Sequence, residues 1–209
     1  MIFSYAVAVK YLLFFLKDAW GVFNNPYQTI RGISLKKQIF PILFFGFLVW
    51  ISLGFIVGVR YGIHTGPLFL TFSLGKLFYA AGATFFVISL TMYLIGRMMG
   101  GRGDVLSVLS AWSYSYLPTI IWFFLTSILY LVFPPPRTDS VLGQMLSILY
   151  LVVSLGLLSW KGLVYFLTLR FALKLNLWQT IRTTVVLWPF WFLYFLLLNR
   201  MGIFKIPFA

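Results

Sequence analysis

Apolar runs of about twenty residues follow one another along this chain, and nearly every charged residue falls at their ends. In hydrocarbon every backbone N–H and C=O must be paired within the protein, and one helix of that length pairs its own. The pattern predicts an all-α membrane protein, with about five transmembrane helices preceded by an N-terminal interfacial amphipathic helix. Composition agrees: 62% of the 209 residues are apolar and 9% charged, whereas soluble domains carry roughly 25% charged residues. The expected organisation is N-terminal interfacial and cytoplasmic helices over 1–38, one transmembrane domain over 39–198 and a short tail over 199–209.

The first run, Ile2 to Val22, is interrupted by Lys10 and Lys17, which at 100° per residue lie within about 20° of each other. A lysine at the centre of a true span costs roughly 2.5 to 3.5 kcal/mol. The run also lacks the leading charge and small-residue cleavage site of a signal peptide. A helix lying on the membrane is the expectation. Asn25 is placed to cap a second helix, with Pro26 at its first position and Gln28 reaching back. That helix carries Arg31 and leads to the doublet Lys36 and Lys37. Span one follows over about Ile39 to Val59, where Gly54, Gly58 and Gly62 recur every four residues and are expected to let a neighbouring helix approach closely.

A polar loop with Arg60, His64, Gly66 and Pro67 leads to span two, about Leu77 to Ile95, with Lys76 at its entrance. Gly96 to Asp104 reads as a flexible polar turn whose Asp104 caps the next helix. Span three, about Trp112 to Phe133, is interrupted by Pro118 and stopped by Pro134, Pro135 and Pro136. Asp139 or Ser140 caps span four, which runs from Val141 past Trp160 and can continue to Lys174. Asn176 and Gln179 form a reciprocal cap before span five, about Ile181 to Leu198, which Pro189 should kink.

Sixteen Lys and Arg face three Asp and no Glu, a formal charge of +13. In a soluble protein such a balance signals nucleic acid. Here the cations stand singly at the ends of apolar runs, where they orient spans and meet anionic headgroups, so no nucleic-acid partner is expected. With the N-terminus inside, the cytoplasmic face receives Lys10, Lys17, Arg31, Lys36, Lys37, Arg97, Arg102, Arg170, Lys174 and Arg182. The outer face receives Arg60, Lys76, Arg137, Arg200 and Lys205, and Lys161 lies near a boundary. This asymmetry predicts a cytoplasmic N-terminus and an external C-terminus. Lys10, Lys17, Arg31, Lys36 and Lys37 are the candidate contacts for anionic lipid.

Reaction chemistry is scarce. Cysteine is absent and His64 is the only histidine, so neither a metal site nor a cofactor is expected. No paired carboxylates, nucleophile elbow or phosphate-loop signature stands in the chain. An enzyme is not expected. Trp112, Tyr114, Tyr116 and Pro118, with the serines between them, read either as an interfacial aromatic belt or as a surface for lipid headgroups or a partner helix.

Asn25-Pro26 followed by an isoleucine-arginine segment, Gly100-Gly101-Arg102-Gly103-Asp104, and Tyr114 to Pro118 leading into a span occur in the order and spacing of a known family. Trp160, Leu163 and the stretch from Arg170 toward Arg182 match its late helix. From about Asn25 to Leu198 the chain resembles the Yip family, the Ypt/Rab-interacting membrane proteins, in its short prokaryotic form. The resemblance implies a five-span helical domain with a cytoplasmic N-terminus, and in eukaryotic members binding of Rab-type GTPases and roles in vesicle traffic. The acidic-leucine-glycine-proline motif of those members' long N-terminal region does not occur here, so a prokaryotic plasma-membrane protein is the expectation. The function expected is non-enzymatic: membrane organisation, lipid interaction or membrane-protein assembly and trafficking. Its partners would be membrane lipids, other membrane proteins or a second copy. The alternative is a small lipid or solute transporter, or a subunit of one.

Overall fold

A computed structural model describes residues 2–61, 72–132 and 140–201, and every regular element among them is helical. In chain order these are α1 (Ile2–Asn24), α2 (Pro26–Lys36), α3 (Phe40–Tyr61), α4 (Phe72–Met98), α5 (Val105–Ser113), α6 (Tyr116–Val132), α7 (Val141–Phe171) and α8 (Leu177–Arg200). Four segments are long and apolar enough to cross a membrane: α4, α5 with α6, α7, and α8; α3 joins them as a fifth when taken with α2, to which it is bent by 115°. Gly62, His64, Gly66, Pro67, Pro134 to Pro136, Arg137, Asp139 and Lys205 lie outside the described residues, as does the side chain of Arg60.

Polar residues start these helices where the chain suggested. Asp104 accepts from the Ser107 N–H at 3.3 Å, and Ser140 from the Gly143 N–H at 3.0 Å. Asn176 and Gln179 close a reciprocal capping box, at 2.8 and 2.9 Å. Asn25 is a correction. Pro26 does open α2, but the Asn25 side chain makes no cap bond. Its ψ of 67° departs from the 164° and 171° of Asp104 and Asn176, the extended geometry that aims a side chain at the amides ahead.

Across the spans, buried hydroxyls find partners that hydrocarbon would not supply. Many turn back on their own helix, as when Ser52 donates to the Leu48 carbonyl and Thr168 to that of Val164, both at 2.8 Å. Others bridge helices. Tyr116 Oη donates to the Ala81 carbonyl at 3.2 Å, Trp122 Nε1 to Ser154 Oγ at 3.1 Å and Trp191 Nε1 to Thr91 Oγ1 at 3.1 Å. Such bridges contribute about 0.6 kcal/mol each in a membrane bundle. Gly54 is buried and Gly58 half-buried on α3, which packs against α6, α4 and α5.

α5 occupies the centre. Ser107, Val108, Ser110, Ala111, Trp112 and Ser113 are all buried, and α2, α3, α4 and α7 surround the helix. α1 and α2 pair as an antiparallel hairpin about Asn25: Gly21 lies against Thr29, each four residues from the joint, and Asp18 pairs with Lys36 farther out. α1 buries Phe15 and Val22 and leaves Val9, Leu12, Leu13, Leu16, Trp20, Lys10 and Lys17 exposed.

The turn from Gly96 to Asp104 is not the flexible link expected from its glycines. It is docked backbone to backbone on the turn between α7 and α8. The Arg102 N–H donates to the Leu173 carbonyl at 2.9 Å, and the Gly101 N–H to that of Gly96 at 2.8 Å. Gly100 sits at φ 95°, a conformation that disfavours a side chain, and a Cβ on Gly103 would overlap the Ala172 carbonyl. Gly103→Ala should therefore lower stability by about 1 to 3 kcal/mol. Gly32→Ala in α2, where a Cβ meets nothing within 4 Å, should raise it by roughly 0.5 to 1 kcal/mol. Thermal unfolding in detergent measures both, and equal effects would remove the docking argument.

Candidate anionic-lipid site

α2, the 96–104 turn and the α7–α8 turn meet at one end of the bundle. Besides the Arg102–Leu173 bond, Ser107 Oγ donates to the Ser34 carbonyl at 2.9 Å, and Lys37 pairs with Asp104 at 2.9 Å. Arg31, Lys36, Lys37, Arg97, Arg102, Arg170 and Lys174 belong to these segments, so cations scattered along the chain share one end.

The five candidate lipid contacts do not act alike. Lys36 Nζ reaches both carboxylate oxygens of Asp18, at 2.8 and 3.0 Å, and Lys37 pairs with Asp104. Two of the five therefore have their charge matched within the protein. Lys10 and Lys17 stand exposed on α1, where Lys10 lies 5.9 Å from the Phe14 ring. Arg31 opens into a cleft of about 490 Å³ lined by Tyr27, Arg31 and Leu35 of α2, Arg170 and Phe171 at the end of α7, and Lys174 and Leu175 beyond it.

Among the described residues, three cations line this cleft and no carboxylate does. Its volume lies in the range of small-molecule sites, roughly 300 to 1,000 Å³. One wall is aromatic, with Tyr27 edge-on to Phe171 at 4.7 Å between ring centroids. Arg170 stands in the last turn of α7, where the helix dipole favours cations, and Lys174 lies in the turn beyond it. Lys174 has φ 57°, a left-handed backbone that a glycine adopts more readily. Reading the residues alone missed this grouping. The charge count puts all three on the cytoplasmic face, but nothing along the chain placed Arg31 in one cleft with the other two.

Trp112, Tyr114, Tyr116 and Pro118 are a second correction, since they form no surface for lipid or a partner. Trp112, Tyr114 and Pro118 are buried and Tyr116 is half-buried. The cause is the central place of α5, which turns this segment into the core: Tyr114 packs edge-on to Phe45 at 5.1 Å and stacks on Phe15 at 6.0 Å. Its hydroxyl, with those of Ser89 and Ser110, is buried without a partner among the described residues. A buried donor with no acceptor opposes folding. Tyr114→Phe should therefore leave thermal stability unchanged or raise it, and a clear loss would reveal a partner for that hydroxyl.

Ser107 and, after it, Lys37 hold the Asp104 carboxyl at about 2, below its ordinary 3.8. A carboxyl depressed by folding adds stability above its unfolded value, and that share is lost as pH falls through the folded value. Stability should thus decline between pH 3.8 and about 2. The ion pair is solvent-exposed, so the effect is small. Asp104→Asn keeps a good cap and should remove this part of the acid slope, which thermal unfolding measured across that window would detect.

No protein-family model, curated protein or solved structure matches this chain.

Proposed function

We propose that the chain is a non-enzymatic, multi-pass protein of Yip type in a prokaryotic plasma membrane, and that its basic end gathers anionic lipid and so organises the lipid and proteins around it. The observation that carries this reading is the cleft that Arg31, Arg170 and Lys174 line with no carboxylate among the described residues. Sidedness follows from the positive-inside rule: the basic end is cytoplasmic, the N-terminus lies there with it, and the C-terminus is outside. Lys10 and Lys17 extend the same charge along α1 as it lies on the inner leaflet. The Yip assignment draws on the motif order from Asn25 to Arg182.

Transport is the second reading, and Lys161 favours it. Its Nζ donates to Thr119 Oγ1 of α6 at 3.3 Å, about 15 Å along α7 from its last residue. An ionisable residue within a span marks a pathway more often than it serves packing. Lipid scrambling or solute flux in proteoliposomes that Lys161→Met abolishes would establish this reading over the first.

The leading proposal is tested with Arg31, Arg170 and Lys174 changed together to Gln, in native membrane particles whose co-purified lipid is identified by mass spectrometry. Tags at the two termini should lie on opposite faces of the membrane in both proteins. Each cation near an anionic leaflet contributes on the order of 1 kcal/mol, so anionic-lipid enrichment should fall severalfold. Unchanged enrichment with unchanged orientation would leave the cleft without a lipid role.

A further inference from the structure

We infer that the cleft selects by headgroup, taking the phosphate of a phospholipid that bears no cation and preferring a phosphomonoester. This rests on the anionic-lipid reading and narrows it. Arg31, Arg170 and Lys174 come from α2, the end of α7 and the turn beyond it, and all three line one volume. A monoester presents three terminal oxygens and a charge near −2 at neutral pH, one oxygen for each cation. A diester presents two. Guanidinium groups bind such oxygens in pairs through their fixed fork.

Exclusion follows from what the wall lacks. Choline, ethanolamine and serine headgroups carry an ammonium, which would stand among three cations with no carboxylate among the described lining residues to pair with it, and the carboxylate of serine offsets that charge but leaves its phosphate a diester. Asp18 and Asp104, the carboxylates of this end among the described residues, are engaged with Lys36 and Lys37. The ligand is a lipid and not free phosphate because Leu35, Phe171 and Leu175 give the cleft an apolar side, and Leu35 is exposed.

The test places the full chain in phosphatidylcholine nanodiscs doped, at equal mole fraction, with phosphatidic acid, phosphatidylglycerol or phosphatidylserine, and measures retained lipid by native mass spectrometry. Retention should rank phosphatidic acid above phosphatidylglycerol, and both above phosphatidylserine. Arg170→Gln and Lys174→Gly should each lower phosphatidic acid retention by about fivefold and flatten the ranking. Lys174→Gly relieves the backbone, so its thermal stability without added lipid should hold or rise, which separates lost binding from lost folding. Equal retention of the three lipids by the native chain overturns the headgroup inference. If the variants then lose all three alike, the anionic-lipid reading stands without it. If they lose none, both fall. Inorganic phosphate that stabilises the protein as much as phosphatidic acid, and displaces it, would overturn the lipid assignment in favour of a soluble phosphate.

Discussion

The arrangement at the basic end depends on one contact between two stretches of bare backbone. Gly101 and Gly103 carry no side chain, so the turn after α4 settles onto the turn after α7, close enough for the Arg102 N–H to reach the Leu173 carbonyl. Where lipid is as apolar as the side chains, helices gain little from the hydrophobic effect and associate through close van der Waals contact and interhelical hydrogen bonds. Small residues at a contact therefore matter more than large apolar ones. The docking fixes the level at which α5 begins, and with it the position of Asp104 opposite Lys37.

Charge is arranged by the same geometry. Asp18 and Asp104 each settle against a lysine at the end of α2 and hold that helix across the basic end. The cations of the cleft come from the other face of α2 and from the turn that the glycines seat. A protein with so few carboxylates has no means of matching sixteen cations internally. Where it places its acidic residues decides which cations are matched within the fold.

The interior follows a different rule. α5 is short, rich in serine and buried on nearly all sides, and α6 continues from it after a break at Tyr114 and Ser115. Hydroxyls and indoles bridge α4, α6, α7 and α8 at levels where aliphatic contact alone would leave their order loosely specified. α7 contrasts with α5, turning Leu149, Leu151, Val152 and Leu155 outward as a lipid-facing helix must.

Along the chain alone, the all-helical class, the spans and three of the helix caps were legible, because each depends on residues within about one span of one another. Gly96 to Asp104 showed itself as a break for the same reason. Whether those glycines were a hinge or a tight seat was not decided locally, since the carbonyl that excludes a Cβ at Gly103 belongs to Ala172. The segment from Trp112 to Pro118 likewise has the composition of an interfacial belt, and only the helices packed around α5 make it core. The cleft joins Arg31 to Arg170 and Lys174 across well over a hundred residues of chain. Sequence determined how much charge there is and that it stands at helix ends; tertiary structure decided which charges are paired and which converge, because Coulomb interaction depends on distance in space and not on distance along the chain.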